Sequence, residues 1–232
     1  MRALLIFVAA CGRLGFDERL VDGAADASPP EPPAFVAMGG ASAEDTAQTL
    51  QVAIPPTTPG NALVVSFTIH TDAAVTGITD DGGNTYVSAG VRASQANTSS
   101  EIWISDHASS ATTVDITTSK PGSFNAYTLE LANVHGAPAK LSSACLEYPP
   151  TFVQAPITTT VPDELIVTVT MFAFPVFISS MDPPFVGLPP QSGNATGYLI
   201  ARDPGTYAST FTLESGEGMT AMTCASSVSW TP

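Results

Sequence analysis

Alternation of apolar and polar residues is the feature that most limits how this chain can fold. In residues 61–70 the apolar members of the pattern are Leu63, Val65, Phe67 and Ile69. Side chains of a β-strand point alternately to opposite faces, so these four share one face, opposite Ser66, Thr68 and His70. The pattern predicts a half-buried strand here. Similar spacing predicts further strands in 113–117, 127–131, 165–171, 207–213 and 222–230.

Turn-forming residues separate these segments. They are Pro59-Gly60, Asp81-Gly82-Gly83-Asn84, Pro121-Gly122, Pro189-Pro190, Gly193-Asn194 and Pro204-Gly205. Many short strands between such turns are typical of a sandwich or a barrel. We predict an all-β fold, a two-sheet antiparallel β-sandwich of jelly-roll type, formed by residues 34–232 as a single domain. Segments 59–65 and 162–167 resemble each other, which indicates equivalent strands in two halves.

Several strand and turn motifs follow one another in a characteristic order. They are Gly60-Asn61-Ala62-Leu63-Val64-Val65, Ile78-Thr79-Asp80, Gly83-Asn84-Thr85-Tyr86, Ile102-Trp103, Thr113-Val114-Asp115-Ile116 and Asp163-Glu164-Leu165-Ile166-Val167. In this order they resemble a loosely characterised family of bacterial secreted β-sandwich modules, similar to jelly-roll carbohydrate-binding domains. The resemblance covers residues 60–230 and implies the fold. It supplies no catalytic residue to this sequence.

The N-terminus has the order of an export signal. Arg2 precedes an apolar stretch in 3–10, and small residues lead to Cys11. This order predicts a lipoprotein signal in 1–10, cleavage before Cys11 and lipid on its sulfur, with an ordinary apolar N-terminus and a chance cysteine as the alternative. The acidic and Pro-rich residues 11–33 then predict a disordered tether. The N-terminal segment resembles predicted lipoproteins of Gram-negative bacteria. We therefore expect a lipid anchor in the outer membrane or at the cell surface, with the domain on the periplasmic or extracellular face.

The charge balance excludes several classes of partner. The chain has 21 acidic and 7 basic residues, and its only lysines are Lys120 and Lys140. Nucleic acids and anionic lipid headgroups require clustered basic side chains, which this sequence lacks. The most apolar later stretch, 165–178, is too short to span a bilayer as a helix, and Pro175 interrupts it. We therefore expect no nucleic-acid partner and membrane contact only through the lipid.

Two cysteines remain after Cys11. In an oxidising compartment Cys145 and Cys224 can form one disulfide. Two separately buried thiols are the alternative, because free cysteine is among the most buried residue types.

Trp103 is the predicted ligand contact. Alternation in 101–106 places Trp103 with Glu101 and Ser105 on one face and both isoleucines on the other. An exposed indole between hydrogen-bonding groups can stack on a sugar ring, so these three residues form the predicted glycan site. The alternative is that another segment covers the indole, such as the strand around Phe35. Trp230 is predicted to close the core.

The Asp80–Asn84 turn is the predicted metal site. Asp80, Asp81 and Asn84 carry hard oxygen ligands that suit a structural calcium ion, while a bare hairpin turn is the alternative. His70, His107 and His135 form no helical metal motif, and we expect surface residues at all three positions.

The sequence favours a non-enzymatic binding or adhesion module. It has no Gly-x-Ser-x-Gly elbow, and no other catalytic motif is recognised in it. We expect a polysaccharide or an envelope protein as partner and no cofactor beyond the calcium. The alternatives are a structural envelope lipoprotein that contacts other proteins, and a secreted hydrolase whose carboxylates converge only in three dimensions.

Overall fold

The computed structural model describes residues 31–43, 46–95, 97–147, 156–172, 177–190, 194–215 and 222–232. These residues contain strands, turns and loops and no helix, and every strand pair is antiparallel. The predicted all-β sandwich class is confirmed. The described part of the chain therefore has no helix that could cross a membrane. The predicted signal, Cys11 and the tether up to residue 30 lie outside the described residues.

Eight strands are formed by the described residues of the first half. They are β1 Ala34–Ala43, β2 Thr49–Ala53, β3 Ala62–Ile69, β4 Val75–Asp80, β5 Val87–Gln95, β6 Thr98–Ser105, β7 Thr113–Thr118 and β8 Phe124–Ala132. A five-stranded sheet has the order β1-β8-β3-β6-β5, and a three-stranded sheet has the order β2-β7-β4. This half alone contains two facing sheets, whereas the sequence predicts two sheets for the whole of residues 34–232.

The described residues of the second half form nine strands. They are β9 Lys140–Glu147, β10 Ile157–Thr158, β11 Glu164–Phe172, β12 Phe177–Met181, β13 Val186–Gly187, β14 Asn194–Ala201, β15 Thr206–Tyr207, β16 Phe211–Ser215 and β17 Met222–Trp230. A second five-stranded sheet has the order β13-β14-β11-β17-β9, beside two small sheets, β10-β15 and β12-β16.

The two halves repeat one topology. Read from the opposite end, the second large sheet is β9-β17-β11-β14-β13, which matches β1-β8-β3-β6-β5 strand for strand in chain order. The echoed segments noted in the sequence belong to β3 and β11, the central strands of the two sheets. Counted from Pro59 and Pro162, the two segments also match by face. Ala62 and Leu165 point to the core between the halves, whereas Leu63 and Ile166 each point to the core of their own half.

Three hydrophobic cores separate the layers. We call the core between the sheets of the first half the first outer core, the core between the two large sheets the central core, and the core between the second large sheet and its small sheets the second outer core. The order of layers is therefore small sheet, large sheet, large sheet, small sheets. Trp230 is 1% exposed in the central core, which agrees with its predicted position.

Strand β3 is buried on both faces, where the sequence predicts burial of one. Leu63, Val65, Phe67 and Ile69 enter the first outer core as predicted. The opposite face meets the second large sheet, and there the Ser66 hydroxyl is 2.8 Å from the Thr196 hydroxyl. Paired hydroxyls allow polar positions to be buried, because one hydroxyl donates a hydrogen bond that the other accepts. Polar alternation therefore does not mark a solvent face in this sheet.

Cys145 and Cys224 form a disulfide between β9 and β17, where they lie directly opposite each other. Cys224 is fully buried. The bond ties an edge strand of the second large sheet to its neighbour and encloses a sequence separation of 79 residues.

Candidate functional site

Trp103 lies half-buried on β6 and packs against the first outer core. Ile102 and Ile104 point to the central core, so the alternation predicted for this strand is confirmed. Phe35 does not cover the indole, because Phe35 packs on the central core instead. The indole Nε1 donates a hydrogen bond to Glu101 Oε2 at 3.0 Å. Part of the ring reaches the surface while its polar edge is turned toward the protein.

The two polar neighbours of Trp103 are inside the protein. Glu101 is 4% exposed and accepts hydrogen bonds from Arg92 Nε at 2.9 Å and from the Val75 backbone N–H at 3.3 Å. Ser105 is 2% exposed. Both side chains are buried because β6 belongs to a sheet that is covered on each face. Glu101 and Ser105 therefore present no surface to a ligand, and Trp103 is the accessible member of the predicted glycan site.

A groove of about 370 Å³ lies where the two halves meet. Its walls come from Val87–Gly90 at the start of β5, from Ile104 and Asp106 at the end of β6, and from 136–138 and Leu141 of the second half. Val87 and Leu141 are 57% and 49% exposed, so both leave apolar surface on the walls of the groove. β5 and β9 are edge strands of their sheets, so the groove runs between two sheet edges.

Gly90 brings the two walls close together. Its φ is +82°, a conformation that side chains rarely adopt, and a Cβ there would lie 3.2 Å from Leu141 Cδ1. The pairing of β5 with β6 also shifts register between Ser88 and Arg92. Bulged edges of this kind often occur beside binding sites, because they redirect side chains.

The Asp80–Asn84 turn uses its oxygens within the chain. Asp80 accepts hydrogen bonds from the Asn84 backbone N–H at 2.9 Å, the Asn84 side-chain amide at 2.8 Å and the Tyr86 hydroxyl at 2.8 Å. Asn84 Oδ1 accepts the Ser109 N–H at 2.6 Å. Burial, and then the hydrogen bond to Asp80, raise the pKa of Tyr86, so its hydroxyl remains a donor.

Asp81 is likewise engaged with the neighbouring strand. Its carboxylate accepts the Thr112 hydroxyl and the backbone N–H groups of Thr112 and Thr113. These bonds, the Thr112 hydroxyl first, lower the pKa of Asp81 to about 2. A calcium ion at this turn would have to displace several of these donors. The turn joins β4 to β5, which lie in different sheets, so it is not the hairpin turn that the sequence offers as the alternative. Calcium binding stays a prediction.

Two of the three histidines lie together, which the sequence did not indicate. His107 follows β6 and His135 follows β8, and both are exposed. Their rings stack with centroids 4.7 Å apart. Asp106 Oδ1 lies 3.8 Å from His107 Nε2 and 3.9 Å from His135 Nδ1. In the sequence only Asp106 and His107 are adjacent. The sheet topology places His135 beside them, because β6 and β8 flank β3 and both end at the same side of the sheet.

No protein-family model, curated protein or solved structure matches this chain. The sandwich class implied by the family resemblance is confirmed by the fold. The lipoprotein signal and the likeness to carbohydrate-binding domains rest on the sequence alone.

Proposed function

We propose that this protein is a lipid-anchored, non-enzymatic binding module of the cell envelope, and that it binds a neutral polysaccharide in the groove between β5 and β9. The observation that carries the proposal is the pair of exposed aliphatic side chains, Val87 and Leu141, facing a groove that also holds the Asp106 carboxylate.

The lining suits the two kinds of surface that a sugar ring presents. Its C–H face is apolar and packs on aliphatic groups such as Val87, Leu141 and Pro138. Its hydroxyls donate hydrogen bonds, and a carboxylate such as Asp106 is a strong acceptor for them. Asp106 Oδ2 already accepts the Gly136 N–H at 2.8 Å, which fixes the orientation of the carboxylate.

Charge favours a neutral ligand over an acidic one. The chain carries 21 acidic and 7 basic residues, so its overall field repels polyanions such as nucleic acids and acidic glycans. Arg92, Lys120, Lys140 and Arg202 pair with Glu101, Asp72, Glu164 and Asp163, respectively. In the part of the chain that the structure describes, every lysine and arginine therefore already has an acidic partner.

The anchor is tested by cell fractionation. We expect the full-length protein to sediment with membranes and the Cys11→Ser variant to remain soluble, because the variant cannot receive lipid on the sulfur of residue 11. Equal sedimentation of both proteins would contradict lipid anchoring.

Ligand binding is tested by affinity electrophoresis of the full chain in gels that contain individual polysaccharides, peptidoglycan included. Leu141→Ser should abolish retardation because it removes apolar surface from the groove. Leu146→Ser is the matched control, since Leu146 is 44% exposed on the same strand and does not line the groove. If retardation is lost in Trp103→Ala but kept in Leu141→Ser, the polysaccharide binds at the indole of Trp103 and not in the groove. No retardation on any polymer would favour protein contacts instead.

A further inference from the structure

We propose that Asp106, His107 and His135 form a binding site for a divalent transition-metal ion. Their ligand atoms all lie within 4.8 Å of one another. Asp106 Oδ1 faces both histidines, at 3.8 Å from His107 Nε2 and 3.9 Å from His135 Nδ1. Within the described residues this is the one group of three such side chains that comes together in this way.

The backbone holds the first two ligands in place. Asp106 directly follows the end of β6, and Ala108 exchanges backbone hydrogen bonds of 2.9 Å with Asn61 and Gly60. His107 lies between these fixed points with a φ of +51°, in the left-handed region that few non-glycine residues adopt. Its side chain is therefore directed by a backbone that is anchored on both sides.

The third ligand is fixed to the first. His135 precedes Gly136, whose N–H donates to Asp106 Oδ2 at 2.8 Å. The Gly136 carbonyl accepts a bond of 3.2 Å from the indole of Trp230, which is buried in the central core. One oxygen of Asp106 thus orients the carboxylate, and the other is left facing the imidazoles. Hydrogen bonding of the second oxygen is a common way in which proteins orient a metal-binding carboxylate.

The donor set selects the class of ion. Two imidazole nitrogens and one carboxylate oxygen suit Zn²⁺, Ni²⁺, Co²⁺ or Cu²⁺, whereas Ca²⁺ and Mg²⁺ prefer oxygen ligands alone. Bonds of about 2.0–2.2 Å require ligand atoms about 3.3 Å apart in a tetrahedral site. The side chains of His107 and His135 are 63% and 58% exposed, so rotation can bring their nitrogens inward without disturbing the core.

The site adjoins the groove, because Asp106 belongs to both. Three protein ligands leave at least one coordination position for water or another molecule. The proposal does not require that the groove binds a glycan.

The experiment titrates the full chain with ZnCl₂ or NiCl₂ alone by calorimetry, after chelator treatment and in buffer free of competing ligands. We expect one ion per chain. His107→Ala, His135→Ala and Asp106→Asn should each weaken binding at least about tenfold, since loss of a group that merely hydrogen-bonds a ligand already costs 10–100-fold. His70→Ala is the matched control, because His70 lies outside the group, and it should bind like the unaltered chain. Titration with CaCl₂ should give the same heat in the unaltered chain and in these three variants.

A second measurement separates ligation from loss of folding. Co²⁺ bound by the unaltered chain should give visible absorption bands that are absent in His135→Ala, while both proteins retain the same thermal unfolding midpoint without metal. Absence of Zn²⁺ and Ni²⁺ binding would overturn the proposal, as would binding that persists in the double variant His107→Ala/His135→Ala or falls equally in His70→Ala. Metal binding without polysaccharide binding would refute only the proposed glycan function.

Discussion

Replacement of Lys140 by methionine should destabilise this protein far more than the same change at Lys120. Lys140 Nζ lies 2.6 Å from each carboxylate oxygen of Glu164, which is completely buried at the start of β11. Lys120 makes a similar bidentate contact with Asp72, but both side chains are more than half exposed. The two lysines therefore differ mainly in the burial of their partner, which makes Lys120→Met a matched control.

The expected magnitude follows from what remains around Glu164. Removal of one partner of a buried ion pair costs about 3–5 kcal/mol, because the other charge is left uncompensated. Glu164 keeps hydrogen bonds from the N–H groups of Thr160 at 2.6 Å and Val161 at 3.1 Å and from the Ser229 hydroxyl at 3.3 Å. These donors offset part of the loss, so we expect about 3 kcal/mol for Lys140→Met. Lys120→Met should have no measurable effect.

Urea unfolding at pH 7, followed by tryptophan fluorescence and by circular dichroism, measures the free energy of unfolding of each variant. The double variant Lys140→Met/Glu164→Gln should be more stable than Lys140→Met alone, because it removes the stranded charge while the neutral amide oxygen still accepts the backbone N–H groups. A cost below about 1 kcal/mol for Lys140→Met, or a double variant less stable than the single one, would refute the reasoning.

The pH dependence provides an independent check. Burial alone would raise the pKa of Glu164, but Lys140 and the two backbone N–H groups outweigh it and lower the pKa. This contribution to stability is therefore complete above the ordinary glutamate pKa of about 4.3 and is lost as the pH falls through the lower folded-state value. Lys140→Met removes two of the causes that lower the pKa, so the pKa of Glu164 should be higher in the variant than in the unaltered protein. The difference in stability between the two proteins should therefore shrink as the pH falls from 7 through these pKa values.

Two further predictions concern the disulfide and the Asp80–Asn84 turn. Reduction of the Cys145–Cys224 disulfide should lower the free energy of unfolding by at most about 4.5 kcal/mol, the chain-entropy value for a loop of this length. Urea unfolding curves with and without reductant measure this loss. A gain of two daltons in intact mass on reduction verifies the bond. Addition of calcium or of a chelator should leave the melting temperature unchanged, because the oxygens of Asp80, Asp81 and Asn84 already accept hydrogen bonds from the chain. A rise of several degrees in the presence of calcium would instead support calcium binding at this turn.

Much of the strand pattern could be predicted, because period two is a local property. The face that carries Leu63 and Phe67 and the burial of Trp230 agree with the structure. The number of layers could not be predicted in this way. Ser66 reads as a solvent-facing residue, yet it is buried by pairing with Thr196, 130 residues away. A polar residue in an alternating pattern shows which face it is on, and only tertiary contacts decide what covers that face.

The candidate sites were harder to predict for the same reason. Alternation places Trp103 and Glu101 on one face, but it does not predict that Glu101 is buried, with its carboxylate paired to Arg92 from the neighbouring strand. His107 and His135 are separated by 28 positions, and no local spacing relates them. The loops after β6 and β8 come together because both strands pair with β3. Sites built from loops on different strands have no sequence signature until the strand order is known.

The repeated topology gives the protein a freedom that a symmetric homodimer lacks. In a dimer with twofold symmetry every surface patch occurs twice, so a change that opens one seam opens the other as well. Here the edge strands β5 and β9 leave a groove, whereas on the β1 side of the large sheets Phe35 stacks on Tyr198 with centroids 4.7 Å apart. Because the two halves belong to one chain, their contacts at the two edges of the large sheets can differ. Aromatic rings fill the contact on the β1 side, and the contact between β5 and β9 leaves the groove. The described residues therefore combine a layered core like that of a dimer with different groups at the two edges, a groove at one and stacked aromatic rings at the other.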